Sequence, residues 1–334
     1  MFKIKQVSED FQVNEIPDIK ISKGNYGYFL LKKTNWNTFD AVRKISYLIN
    51  NKKINFAGNK DRNAITSQVI SIFKPDLNKI KQLKIKDIEL EYLGFGPERI
   101  HLGDLEANEF VITIRSLNKK IETIPKKIVN YFDDQRFGIN KNNHLIGKLI
   151  LKKEYAQAIE LINNSSLTEF LNTNPKNYLG CLNLLGKERL KFYISAYQSY
   201  LWNLSVSRYL KTKIKTFSID YSVGKFDFTL KKTNNLSIPI LGFLTEFKNK
   251  EIENIYGEIL ENENIGIREF VNKQFPDLAS EGNNRDLLFE VKNYEVINFE
   301  EDELNQGKYK QTIKFKLPPG SYATILVKFI YFSA

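Results

Sequence analysis

Between Ile54 and Phe73 the chain passes from an apolar triplet through a polar loop into a β-branched run, and this order of residue types constrains the fold more than any other stretch. Ile54, Phe56 and Ala57 read as the end of a buried strand, and Thr66 to Phe73 (TSQVISIF) reads as the start of the next. The pattern predicts a short loop held by two strands, with one carboxylate, Asp61, set between two cations, Lys60 and Arg62. Rigid elements on both sides position such a group while the loop leaves it accessible.

The rest of the chain mixes strands and helices without a regular strand–helix–strand rhythm. FKIKQV, FQVNEI and YGYFLLKK read as short strands, with a turn around Lys23-Gly24-Asn25. Thr38 reads as an N-cap, and Phe39, Val42, Ile45, Leu48 and Ile49 fall at helical spacing up to Asn50-Asn51. A basic segment, Lys74 to Lys86, precedes the strands IELEYLGF and FVITIR, and a helix is expected near Ile121 to Phe132. Residues 140–175 and 188–211 look helical, 216–300 are mixed and acidic, and Tyr309 to Leu317 alternates as a strand. The expected class is α+β on a mainly antiparallel, mixed sheet rather than a doubly wound fold. A chain of 334 residues has room for two cores.

Composition excludes several functions. Cys181 is the sole cysteine and His101 and His144 the only histidines, so no disulfide framework or cysteine-rich metal site is available. No apolar run approaches the roughly 18 residues of a membrane span, and the start MFKIKQVSEDF lacks a secretory signal, so the expected location is the cytoplasm. Asn59-Lys60-Asp61 is close to a guanine-specificity motif, but the aspartate stands one place early and no GxxxxGK[ST] phosphate loop occurs. The net charge of +11 suggests a polyanionic partner, and it is unevenly spread: residues 243–306 hold 6 basic against 16 acidic residues, a net of −10.

Six segments together resemble one family. AGNKDRNAITSQ (Gly58, Lys60, Asp61, Ala64, Thr66, Gln68) is similar to the signature of the TruD family of tRNA pseudouridine synthases. NYFDDQRFG, Asn130 to Gly138, resembles another of its blocks, with Asp133 where the family has Gly, a residue that often marks positive φ. ISAYQSYLWN resembles a family helix, with Trp202 in the place of a Phe, and LPPGSYAT resembles the C-terminal block. EDFQVNEI, preceded by Lys5, is a weaker echo, as is LGDLEANEF, where Ala107 replaces a Gly.

The resemblance implies a pseudouridine synthase that isomerises uridine in tRNA, at position 13 of the D arm, without cofactor or metal. It implies a catalytic domain of residues 1–150 and 306–334 and an inserted α/β domain, specific to the family, over residues 151–305. Asp61 would be the catalytic carboxylate and Lys5 its cationic partner. Phe132 would pack on the target base, and Asn130 would hold the active-site loop or the base edge. Lys60 and Arg62 suit phosphate contacts, since neighbours in an extended loop point opposite ways. Gln135 and Arg136 could order the same loop or touch RNA. Modification of another RNA is the alternative reaction, and a non-catalytic RNA-binding protein on the same fold is the alternative class. The resemblance implies no protein partner.

Overall fold

The computed structural model describes residues 2–122 and 124–333, Ser333 by its backbone alone, and they fall into two compact units. Residues up to Lys127 belong to the first. They form β1 (Phe11–Pro17), β2 (Tyr26–Thr34), α1 (Thr38–Ile49), β3 (Ile54–Phe56), β4 (Ile65–Phe73), α2 (Leu77–Lys81), β5 (Ile88–Gly96) and β6 (Leu105–Leu117). The second unit, Ile128–Phe289, carries β7 (Lys127–Val129), α3 (Asn143–Leu151), α4 (Tyr155–Ile162), α5 (Ser165–Thr173), α6 (Tyr178–Asn183) and α7 (Lys187–Lys213). It continues with β8 (Phe217–Tyr221), β9 (Gly224–Phe228), β10 (Ser237–Ile240), α8 (Lys250–Glu263), β11 (Asn283–Asp286) and β12 (Leu288–Glu290). The chain then returns to the first unit for β13 (Lys292–Glu301) and β14 (Tyr309–Leu317), and ends in the second with α9 (Ala323–Ser333).

The first unit is one mixed sheet in the order β13-β14-β6-β1-β4-β2-β5, with β3 paired to β4. Its described pairings are antiparallel except β1 with β4, which register Val13 against Thr66. The α+β class and the mainly antiparallel sheet expected from the sequence are both present. Side-chain alternation explains how the core forms: Phe29 and Leu31 on β2 and Ile70 and Ile72 on β4 bury one face, and α1 covers it with Ala41, Ile45 and Ile49. Asn37, not Thr38, caps α1, accepting from the Asp40 amide at 2.8 Å. Thr38 begins the helix itself and is buried.

The β13–β14 hairpin joins the sheet through β14 on β6, so residues 292–301 fold with the first unit and not with the inserted stretch expected up to 305. The Arg115 guanidinium locks that edge, donating to Asp10 Oδ1 at 2.8 Å and to Asp302 Oδ1 at 2.9 Å. The compact units also part after Lys127 rather than near residue 150, because α3 packs on α7. Lys328 of α9 bonds Asp133 and Asp134, and Phe329 packs edge-on to Phe228, which draws the C-terminal helix into the second unit.

The helix expected near Ile121 to Phe132 is absent among the described residues; Thr123 lies outside them. Pro125 offers no amide to a helix ladder and restricts the residue before it. The β-branched pair Ile128 and Val129 lies instead in β7, paired with β12.

Candidate active site

In the first unit the loop between β3 and β4 is fastened from several sides. Thr38 Oγ1 accepts from the Lys60 amide at 2.9 Å and donates to Gln68 Oε1 at 2.7 Å, while Gln68 Nε2 donates to the Gly58 carbonyl at 2.9 Å. Gln68 and Thr38 are fully buried, so these bonds form away from competing water. On this frame the Asp61 side chain keeps 22% of its surface exposed, and its Oδ2 lies 2.5 Å from Lys5 Nζ. Lys5 is itself placed over the Phe11 ring, 4.0 Å from its centroid. The structure therefore brings Lys5 and Asp61 together as an accessible ammonium–carboxylate pair.

Lys60 departs from the expectation of a phosphate contact. Its ammonium is buried 2.7 Å from Glu15 Oε2, and the other oxygen of Glu15 accepts from the Val69 amide at 3.1 Å. A carboxylate partner that is itself held by a backbone amide offsets the cost of taking this ammonium out of water, so the lysine can point inward. Arg62, its neighbour but one, has a side chain 64% exposed, and its guanidinium stands 4.0 Å from Asp40.

The remaining sequence candidates lie in the second unit. Asn130 receives two bonds from Arg285, Nε to its carbonyl at 2.9 Å and Nη2 to its Oδ1 at 2.6 Å, and donates from Nδ2 to the Asp286 carbonyl at 3.2 Å. Phe132 is pinned through its backbone by Asn203, and its ring stands edge-on to Trp202 at 5.6 Å. The Arg285 guanidinium covers the Phe132 ring at 4.1 Å, and Arg136 lies 5.6 Å from the same ring. Arg136 also donates to Ser199 Oγ at 3.0 Å. These three side chains, with Gln198, Ser280 and Asn284, line a cavity of about 320 Å³. Gln135 is exposed, and its carbonyl accepts from the Gly138 amide. Asp133 has an extended backbone (φ −92°, ψ 175°), so this position places no demand for glycine; its carboxylate is buried and pairs with Lys328.

Three partners had no sequence assignment. Glu15 stands inside the EDFQVNEI echo, and Arg285 lies in a polar stretch with no pattern of its own. Lys33 had a signal: it shares strand parity with Phe29 and Leu31, so a cation sits on the inward face of β2. Its ammonium donates to the carbonyls of Trp36 at 2.5 Å, Asp61 at 3.1 Å and Lys60 at 3.4 Å. Burial lowers the Lys33 ammonium from its usual range to about 8, opposed by the charge of Asp61 and assisted by that of Lys60. Among the described residues no three His, Cys, Asp or Glu side chains gather to hold a metal ion, and no helix is long and apolar enough to cross a membrane.

Comparison with known proteins agrees with this arrangement of blocks. The family model for tRNA pseudouridine synthase D (TruD) matches residues 2–169 and 161–330. A "Probable tRNA pseudouridine synthase D" of Methanosarcina acetivorans is 30% identical, the alignment covering 98% of this chain and 91% of that protein. The tRNA pseudouridine synthase D of Aquifex aeolicus is 29% identical, with 99% and 98% covered. A crystal structure from Methanosarcina mazei assigned to the same enzyme superposes with a TM-score of 0.67 at 26% identity, covering 99% of this chain and 93% of that one. Matches that run through both units and take in every quoted block leave one conclusion: the chain belongs to the TruD family of tRNA pseudouridine synthases.

Proposed function

We propose that Asp61 is the carboxylate through which this pseudouridine synthase isomerises uridine in tRNA, with position 13 of the D arm as its target. The observation that carries this reading is the Lys5–Asp61 pair, 2.5 Å apart, partly exposed and mounted on a loop whose backbone is fastened by buried side chains. The reaction breaks the bond between ribose C1′ and uracil N1, turns the base and joins C1′ to C5. The C5 proton leaves and N1 gains one, so atoms and electrons balance without an oxidant or reductant.

What the protein must supply is negative charge at the anomeric carbon as the glycosidic bond breaks, either as a nucleophile or as a stabiliser of oxocarbenium character. Asp61 supplies it. Lys5 balances the carboxylate when bound RNA displaces water. Lys60, buried against Glu15, holds the loop rather than the substrate. Arg62, exposed beside Asp61 in the chain, contacts RNA phosphate.

In the second unit we assign Phe132, Arg136 and Arg285 to RNA bases, because the three line one cavity, with the two guanidinium groups over the largely buried Phe132 ring. Asn130 and Gln135 support that segment, and this unit contains the family's inserted domain. A tRNA substrate and the single, buried thiol of Cys181 are consistent with action in the cytoplasm. The test is pseudouridine formation in tRNA incubated with the wild type and with Asp61→Asn. Turnover should fall by on the order of 10⁴ or more with tRNA affinity within a few fold. Retained turnover in the variant would remove Asp61 from the chemistry and favour a different carboxylate or a non-catalytic role for the loop.

A further inference from the structure

We propose that Lys33 is a positioning residue for the reaction: its buried ammonium holds the backbone of the loop that carries Asp61. The inference rests on the assignment of Asp61 as the catalytic carboxylate.

Lys33 is only 2% exposed, and an ammonium withdrawn from water at that depth is costly unless each proton finds an acceptor. All three do. Two acceptors are the consecutive carbonyls of Lys60 and Asp61, and the third is the carbonyl of Trp36, two residues ahead of α1. One nitrogen on β2 therefore ties the Asp61 peptide both to the sheet and to the lead-in of the helix. A carboxylate whose backbone is held in this way keeps its place as RNA binds, and small losses of placement are expensive in a reaction that depends on approach to one carbon.

The charged groups facing Lys33 are Asp61 and Lys60, each already paired, with Lys5 and Glu15 respectively. Its register partners on β4 and β5, Thr66 and Ile88, carry no charge. Loss of the third proton leaves an amine with two donors for three carbonyls, and the loop is released on one side. Burial brings this loss to about pH 8.

Fold stability should move the other way. A lysine whose folded value lies below its unfolded one binds fewer protons folded than unfolded between about 8 and 10.5, so its cost to the fold is relieved as pH rises through that window. Turnover falling while stability holds or rises separates positioning from a merely structural role.

The experiment measures single-turnover rate, tRNA affinity and thermal midpoint against pH for the full chain, Lys33→Met and Asp61→Asn. The wild type should lose turnover through about pH 8 without a matching fall in midpoint. Lys33→Met should bind tRNA within about threefold of wild type, turn over about 10²-fold more slowly, and show no alkaline limb near pH 8. A wild-type rate flat from pH 7 to 9.5, a limb that persists in Lys33→Met, or a Lys33→Met rate close to wild type would each overturn the inference. Should Lys33→Met not fold, the wild-type profile decides alone. Asp61→Asn inactive beside a fully active Lys33→Met defeats only the role of Lys33, whereas an active Asp61→Asn defeats the reading on which it rests.

Discussion

Lys60 Nζ and Glu15 Oε2 lie 2.7 Å apart with both side chains buried, and the second oxygen of Glu15 accepts from the Val69 amide on β4. This pair ties β1, β4 and the Asp61 loop together at the sheet's one parallel pairing among the described strands. Removing one partner strands the other charge in the interior. Lys60→Met or Glu15→Gln should each cost about 3–5 kcal/mol of stability, and Lys60→Met with Glu15→Leu together should recover much of that. Urea unfolding of the three variants measures it; single variants as stable as wild type would contradict a committed buried pair.

Phe132 is held at its backbone by Asn203 and at its ring by Arg285 and Trp202. Truncation to alanine would leave a cavity worth about 3–5 kcal/mol and confuse stability with function. Phe132→Leu is the cleaner variant. It should lose about tenfold or more in turnover per enzyme, as expected for loss of an aromatic surface to a base, while unfolding in a single transition. Unchanged kinetics in a folded Phe132→Leu would return the ring to a packing role.

If basic side chains such as Arg62 track phosphates, tRNA affinity should fall roughly 10³-fold between about 50 and 200 mM salt for about six contacts. Arg62→Ala should weaken binding and flatten the slope; Lys60→Ala should act through stability instead, since its ammonium is buried. Glu251→Lys with Glu253→Lys, in the first turn of α8, should leave affinity intact and cost about 0.3–1 kcal/mol each through the helix dipole. Fluorescence titration at three salt concentrations is sufficient. A flat salt dependence would refute phosphate tracking.

His144 is buried between Phe137 and Tyr200, and burial lowers its imidazole to about 4, against opposition from Glu263 and with assistance from Lys148. The unfolded chain binds a proton there below about 6.5 and the fold does not, so stability is full above 6.5 and is lost as pH falls towards 4. Up to about 3 kcal/mol is involved. His144→Leu should flatten the fall in midpoint between pH 6.5 and 4 whatever its effect at neutral pH. An unchanged acid slope would mean that other groups set it.

Elements set by short-range chemistry are legible in the order of residue types alone. The apolar triplet, the polar loop and the β-branched run became β3, the Asp61 loop and β4; the helical spacing after Thr38 became α1; and the alternation of Tyr309 to Leu317 became β14 over those same residues. The motif blocks also carried the family. Tertiary structure decided the rest, because the deciding partners are far away in the chain. Lys60 meets a carboxylate 45 residues earlier and turns inward, and Arg285 reaches back 155 residues to Asn130. Thr38, read as a cap, spends its hydroxyl on Gln68 instead. Residues 121–132 scan as a helix until Pro125 and the pairing of β7 with β12 are counted. The unit boundaries follow from the same cause: strand pairing of β14 on β6 and packing of α3 on α7 are long-range gains in burial and hydrogen bonding, and no local run of residues encodes where they stop.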